Sequence, residues 1–138
     1  MVRKLLIASV LASLALAGQA TAAQAPALGP VTIIKAGQKT PVDIGGNDLH
    51  RGATVRKGTE LRRWLVTMRD RSNASITLKC GPGATHVGLG LQNKAKVLIA
   101  LAKGSGYHHR TIRVRAYPAA GVDANGARGS IYALCKAS

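Results

Sequence analysis

In the stretch Arg110-Thr-Ile-Arg-Val-Arg-Ala-Tyr117, residues 111–117 alternate without a break. Ile112, Val114 and Ala116 fall on one side, and Thr111, Arg113, Arg115 and Tyr117 on the other. Side chains alternate across a strand, so this period of two predicts a sheet with one dry face and one basic, wet face. Two further stretches repeat the pattern. In Ser75-Ile-Thr-Leu-Lys-Cys80, Ile76 and Leu78 share a face with Cys80; in Ser130-Ile-Tyr-Ala-Leu-Cys135, Ile131 and Ala133 share one with Cys135.

Working outward, short apolar runs recur between turn residues. Val31–Ile34 precedes Gly37, Thr40–Ile44 ends at Gly45-Gly46-Asn47, and Thr54–Arg56 breaks at Lys57-Gly58. Leu61–Arg69 sets Trp64, Val66 and Met68 opposite Leu65, Thr67 and Arg69. Thr85–Leu91 is read with Val87, Leu89 and Leu91 together. Val97–Ala102 is apolar throughout and fits a doubly buried strand or part of a helix over 94–103; its neighbours favour the strand. The predicted fold is all-β: a small antiparallel β-sandwich, or small barrel, of about eight short strands closed by one disulfide.

The first residues read as an address. Met1-Val2-Arg3-Lys4 is basic, Leu5–Ala17 is small and apolar, and Ala20-Thr21-Ala22 suits a signal peptidase. The expected organisation is a signal peptide over 1–22, a flexible lead-in over 23–30 and one sandwich domain over 31–138. No transmembrane segment is expected after cleavage, because the apolar run falls short of the about 20 residues of a span. The destination is export, to the periplasm or the extracellular space. In that setting Cys80 and Cys135 are expected to pair, both being on core faces.

Removing 1–22 takes away Arg3 and Lys4 and no acid, so 20 basic and 5 acidic residues become 18 and 5, a formal charge of +13. Phe is absent, so the core must be built from Val, Ile, Leu and Ala. The basic residues form three groups. Arg113 and Arg115 lie on one strand face; Arg56-Lys57, Arg62, Arg63, Arg69 and Arg71 make a second region; Lys94, Lys96 and Lys103 make a third. Such an excess points to association with polyanions rather than to a fold.

Cys80-Gly-Pro-Gly83, Val87-Gly-Leu-Gly90 and Tyr132-Ala-Leu-Cys135 resemble a pattern in small exported bacterial β domains, largely uncharacterised. There a Cys-Pro-small-Gly turn precedes a Gly-rich strand, and a terminal Tyr-Ala-x-Cys strand closes the disulfide. This chain differs in having Gly81 before Pro82 and Leu89 where glycine is usual. The resemblance implies the fold and the disulfide and carries no activity.

Motifs for chemistry are scarce. Asp43, Asp48, Glu60, Asp70 and Asp123 form no glycosidase-like pair, and no phosphate loop, dinucleotide fingerprint or Gly-x-Ser-x-Gly turn occurs. Asn73-Ala-Ser75 is read as a chance match to a glycosylation acceptor. His108-His109 would point to opposite faces of a strand and so suits no single metal unless it lies in a loop. No cofactor or metal is expected. A basic ribonuclease-like hydrolase, using two of His50, His86, His108 and His109, is the enzyme alternative. Ser105-Gly106-Tyr107 resembles the Ser-Gly…Tyr loop of periplasmic lysozyme inhibitors, but lacks the residues between Gly and Tyr, and its charge would repel a basic partner. The reading favoured is a non-enzymatic binding domain, its contact residues Arg113 and Arg115 first, then Arg62, Arg63, Arg69 and Arg71. Its expected partners are lipopolysaccharide, anionic lipid or cell-wall polymer; an unidentified protein partner is the alternative.

Overall fold

The alternation in 110–117 is realised as a strand whose Ile112, Val114 and Ala116 are completely buried while Thr111, Arg113 and Arg115 face solvent. The computed structural model describes residues 26–69 and 74–137. The predicted signal peptide, Arg71 and Asn73 lie outside the described residues. Eight strands are present among those described: β1 (Ala27–Leu28), β2 (Thr32–Ile34), β3 (Thr59–Thr67), β4 (Ala74–Lys79), β5 (Ala84–Leu91), β6 (Val97–Leu101), β7 (Thr111–Pro118) and β8 (Arg128–Ala137). No helix occurs among them, so none is long and apolar enough to cross a membrane.

The strands form two antiparallel sheets. The first runs β1-β3-β8-β5, with β2 also on β3; the second runs β4-β7-β6. The result is a sandwich rather than a closed barrel. Trp64, Val66, Ile131 and Ala133 of the first sheet meet Ile76, Leu78, Val97, Ile112 and Val114 of the second in the main core. Val97–Leu101 is a strand, because its pairing to β7 fills the edge of the second sheet. The Cys80–Cys135 disulfide links the end of β4 to β8, tying one sheet to the other. Closing a loop of that length stabilises by about 4 kcal/mol through the unfolded chain.

A second, smaller core sits on the opposite face of the first sheet. Tyr132 and Leu134 of β8 alternate outward there and, with Leu61, are covered by Val42, Ile44, Leu49 and Val55. Those four come from residues 35–58, where the expected strands Thr40–Ile44 and Thr54–Arg56 are reduced to isolated bridges, Lys39 to Thr54, Ile44 to Leu49 and Gly45 to Leu89. The covering segment lies close to β5 because β5 presents glycines. A Cβ on Gly88 would stand 2.5 Å from Ile44 Cγ2, and one on Gly90 would stand 2.6 Å from the Asp43 carbonyl.

One expectation is corrected. Val87 does not share a face with Leu89 and Leu91: the β5–β8 register shifts between His86 and Gly88, so Val87 packs on the second core while Leu89 and Leu91 pack on the first. Such a bulge inserts one residue and reverses the alternation beyond it. Within the expected lead-in, Ala27 and Leu28 pair with Thr67 and Val66, and the Gly29 amide donates to the Leu65 carbonyl at 2.8 Å.

Candidate functional site

Three strands position Arg113 and Arg115. Arg113 and Arg115 lie on β7, the middle strand of the second sheet, opposite Thr77 and Ser75 of β4. Ala100 of β6 flanks Arg115 on the other side. Lys79 extends the same exposed face. Small neighbours leave both guanidinium groups reachable, and the surface is an open plane rather than a cleft. At one end it dips into a hollow of about 290 Å³ lined by Thr77, Ser105, His109, Thr111 and Arg113. The Ser105 hydroxyl holds that corner by accepting the Arg113 amide at 2.9 Å.

Arg62 and Arg63 are not on this face. Arg62 is on the core side of β3, where its Nε donates to Glu60 Oε1 at 2.9 Å and its guanidinium donates to the Lys79 carbonyl at 3.2 Å. It bridges the two sheets beside the disulfide, and is the one ion-paired arginine among the described residues. Arg63 lies on the outer face of the first sheet, with its Nε donating to Ser130 Oγ at 3.2 Å. Arg69 is exposed just beyond β3. The described residues among them therefore do not make one surface: Arg113 and Arg115 form a face, Arg62 is structural and Arg63 lies on the opposite side of the sandwich.

A second basic site was not assembled from sequence. A chamber of about 450 Å³ opens where the covering segment, the β5 bulge, the 105–108 loop and the end of β8 meet. Arg56, Lys57, His108 and Lys136 provide its basic groups, and Leu49, Val87 and Leu134 its apolar floor. None of its lining residues is acidic. Asn47 Nδ2 donates to the Val87 carbonyl and so anchors the wall. The loop is held by reciprocal backbone bonds, His108 amide to His86 carbonyl at 2.8 Å and His86 amide to His109 carbonyl at 2.9 Å. His108 itself takes a positive φ of 70°. That left-handed geometry is uncommon outside glycine and is sustained here by those bonds. Tyr107, half-buried beside Gly46, has its phenol pKa raised by burial.

The histidines are dispersed. His108 lines the chamber and His109 the hollow on the other sheet. His50 is exposed in the covering segment. His86 is fully buried; its Nε2 donates to the Leu78 carbonyl at 3.0 Å, and Nδ1 has no partner. Burial lowers its pKa below the ordinary 6.5. Neither of those two hollows brings two histidines together, as the ribonuclease-like alternative would need. Cys80, His86 and Cys135 bring their ligand atoms within 4.8 Å of one another. Both sulfurs are spent in the disulfide, however, and a disulfide offers no thiolate to a metal.

A sequence signal for the chamber existed only in part. Arg56-Lys57 stands out as a basic pair, but Lys136, His108 and Leu134 are brought to it by the fold from far along the chain. No family model matches the chain, and no curated protein or solved structure matches it either, so its function must be argued from this geometry.

Proposed function

We propose that this protein is an exported, non-enzymatic binding domain that associates with polyanions through the outer face of its second sheet. The reading rests on one observation: Arg113, Arg115 and Lys79 stand on a flat exposed face among Ser75, Thr77 and Thr111, with no acid on any of the three strands that form it. Hydroxyls and guanidinium groups on a rigid sheet suit phosphate or sulfate oxygens, which accept hydrogen bonds and carry charge. The hollow at Arg113 gives such a group a place to seat. A formal charge of +13 after removal of residues 1–22 would draw anionic surfaces from a distance. In the envelope of a bacterium these are lipopolysaccharide phosphates, anionic lipid headgroups and cell-wall polymers.

The test separates this face from diffuse charge. Arg113→Ser with Arg115→Ser is compared with Lys35→Ser with Lys39→Ser, two exposed lysines in the covering segment. Each pair removes two charges. Binding to immobilised heparin should weaken more in the arginine pair, and its log–log salt slope should fall by about 2. Equal losses in the two pairs would mean that total charge, not this face, holds the polyanion.

A further inference from the structure

The chamber differs in kind from the arginine face. It is concave, it combines basic groups with an apolar floor, and it adjoins a second apolar cleft. That cleft, about 340 Å³, lies between the edges of the two sheets and is lined by Leu89, Leu91, Ile99 and Leu101. Tyr107 is a wall of both hollows. Leu101 is left 41 % exposed at the end of β6, on the alternation that carries Val97 into the core. The one acid of the cleft is Asp43, whose Oδ1 already accepts the Arg51 amide at 2.7 Å.

We infer that the two hollows form one site for a single amphipathic anion, its phosphate, sulfate or carboxylate head among Arg56, Lys57 and Lys136 and its apolar tail passing Tyr107 into the β5–β6 cleft. A bare inorganic anion would use the cations and leave the floor wet. A neutral apolar molecule would leave three cations unanswered. Only a molecule with both parts satisfies the whole surface, and each hollow lies at the small end of the range of about 300–1,000 Å³ for small-molecule sites. The site is concave, so its occupant is a monomer and not a bilayer face. The positive charge at Arg56 and Lys57 is fixed by the turn leading into β3, where Thr59 both donates its amide and its hydroxyl to the Arg56 carbonyl.

Calorimetric titration with octyl phosphate, below the concentration at which it self-associates, tests the proposal. One molecule should bind per chain. Each methylene moved out of water is worth about four-fold in affinity, so octyl phosphate should bind at least about ten-fold tighter than butyl phosphate. Inorganic phosphate and uncharged octyl glucoside should each bind far more weakly. Lys57→Gln with Lys136→Gln should cost about ten-fold for both alkyl phosphates, and Leu101→Ser should weaken only the octyl ester. All three side chains are exposed, so these variants should fold. Arg113→Ser with Arg115→Ser should leave octyl phosphate binding unchanged, which keeps this test independent of the polyanion face. Equal affinity for octyl and inorganic phosphate, an equal loss in the Arg113/Arg115 pair, or binding to phosphatidylglycerol vesicles without binding to the monomer would each overturn it.

Discussion

Strand β8 has a different kind of neighbour on each of its two faces. Inward, Ile131, Ala133 and Cys135 meet a second sheet whose strands alternate as regularly as β8 itself. Outward, Tyr132 and Leu134 meet a segment that forms no extended strand and covers them with four apolar side chains. The inward core is a matter of periodicity, and side chains from both sheets interdigitate. The outward core depends on a close approach of backbone to backbone, permitted where β5 carries Gly88 and Gly90. Each core supports one basic site. The arginine face is the outside of the regular sandwich, while the chamber is the rim of the irregular cover.

The largest expected effect separates the two cores directly. Gly90→Val puts a Cβ 2.6 Å from the Asp43 carbonyl and 2.8 Å from Ile44 Cδ1, and the first of these is backbone that cannot rotate away. Overpacking of this kind costs about 1–3 kcal/mol. Urea unfolding should show a loss in that range or above it. Hydrogen exchange should accelerate at the amides of Thr40, Ile44 and Val55, which hold the cover together, and much less in β4 and β7. Uniform acceleration across both sheets would show that the cover is not a separable unit.

A smaller effect belongs to the inward core and follows from His86. Its ring is buried beside the disulfide, and burial is the main cause that lowers its pKa below 6.5, opposed by its bond to the Leu78 carbonyl. The unfolded chain therefore takes up this proton more readily than the folded one. The contribution of neutral His86 is complete above pH 6.5 and is lost progressively as pH falls from there through the lower folded value. Urea midpoints should accordingly drop between pH 7.5 and pH 5. A His86→Leu variant, though less stable at neutral pH, should show a shallower drop across the same range. Parallel curves for the two proteins would mean that other groups govern the acid response.

Regular alternation made the inward core readable from sequence. Ile112, Val114 and Ala116 were assigned to the dry face from spacing alone, and the cysteines paired because both fell on that face. Val97–Leu101 became a strand for a tertiary reason, its pairing with β7, which an uninterrupted apolar run cannot announce. Val87 was misplaced because a bulge is one residue of register and leaves no compositional mark. Residues 40–44 carry the alternation of a strand, yet a single bridge partner is all that Ile44 finds at Leu49. The chamber was hidden for the same reason on a larger scale. Its cations come from the turn before β3 and the end of β8, and only antiparallel pairing of those strands, Thr59 opposite Lys136, makes them neighbours.

The smallest expected effect concerns Arg62, which shares residue type and charge with Arg113 but lies across the comparison. Arg113 is exposed on the outer face of β7, whereas the Arg62 side chain is 17 % exposed and its partner Glu60 30 % exposed. Partial exposure lets solvent screen the ion pair, so its net worth is about 0.5–1 kcal/mol rather than that of a sealed charge. Arg62→Met retains most of the packing stem and removes the charge. It should lower stability to urea by roughly that amount, with the Lys79 carbonyl left to water. Heparin retention should fall less than in Arg113→Ser, although each variant loses one positive charge, because the Arg62 guanidinium is mostly buried and its charge is already met by Glu60. A retention loss in Arg62→Met as large as in Arg113→Ser would place the binding surface at the disulfide end of the sandwich, where the two sheets are joined, and would remove the distinction between an inner structural arginine and an outer binding one.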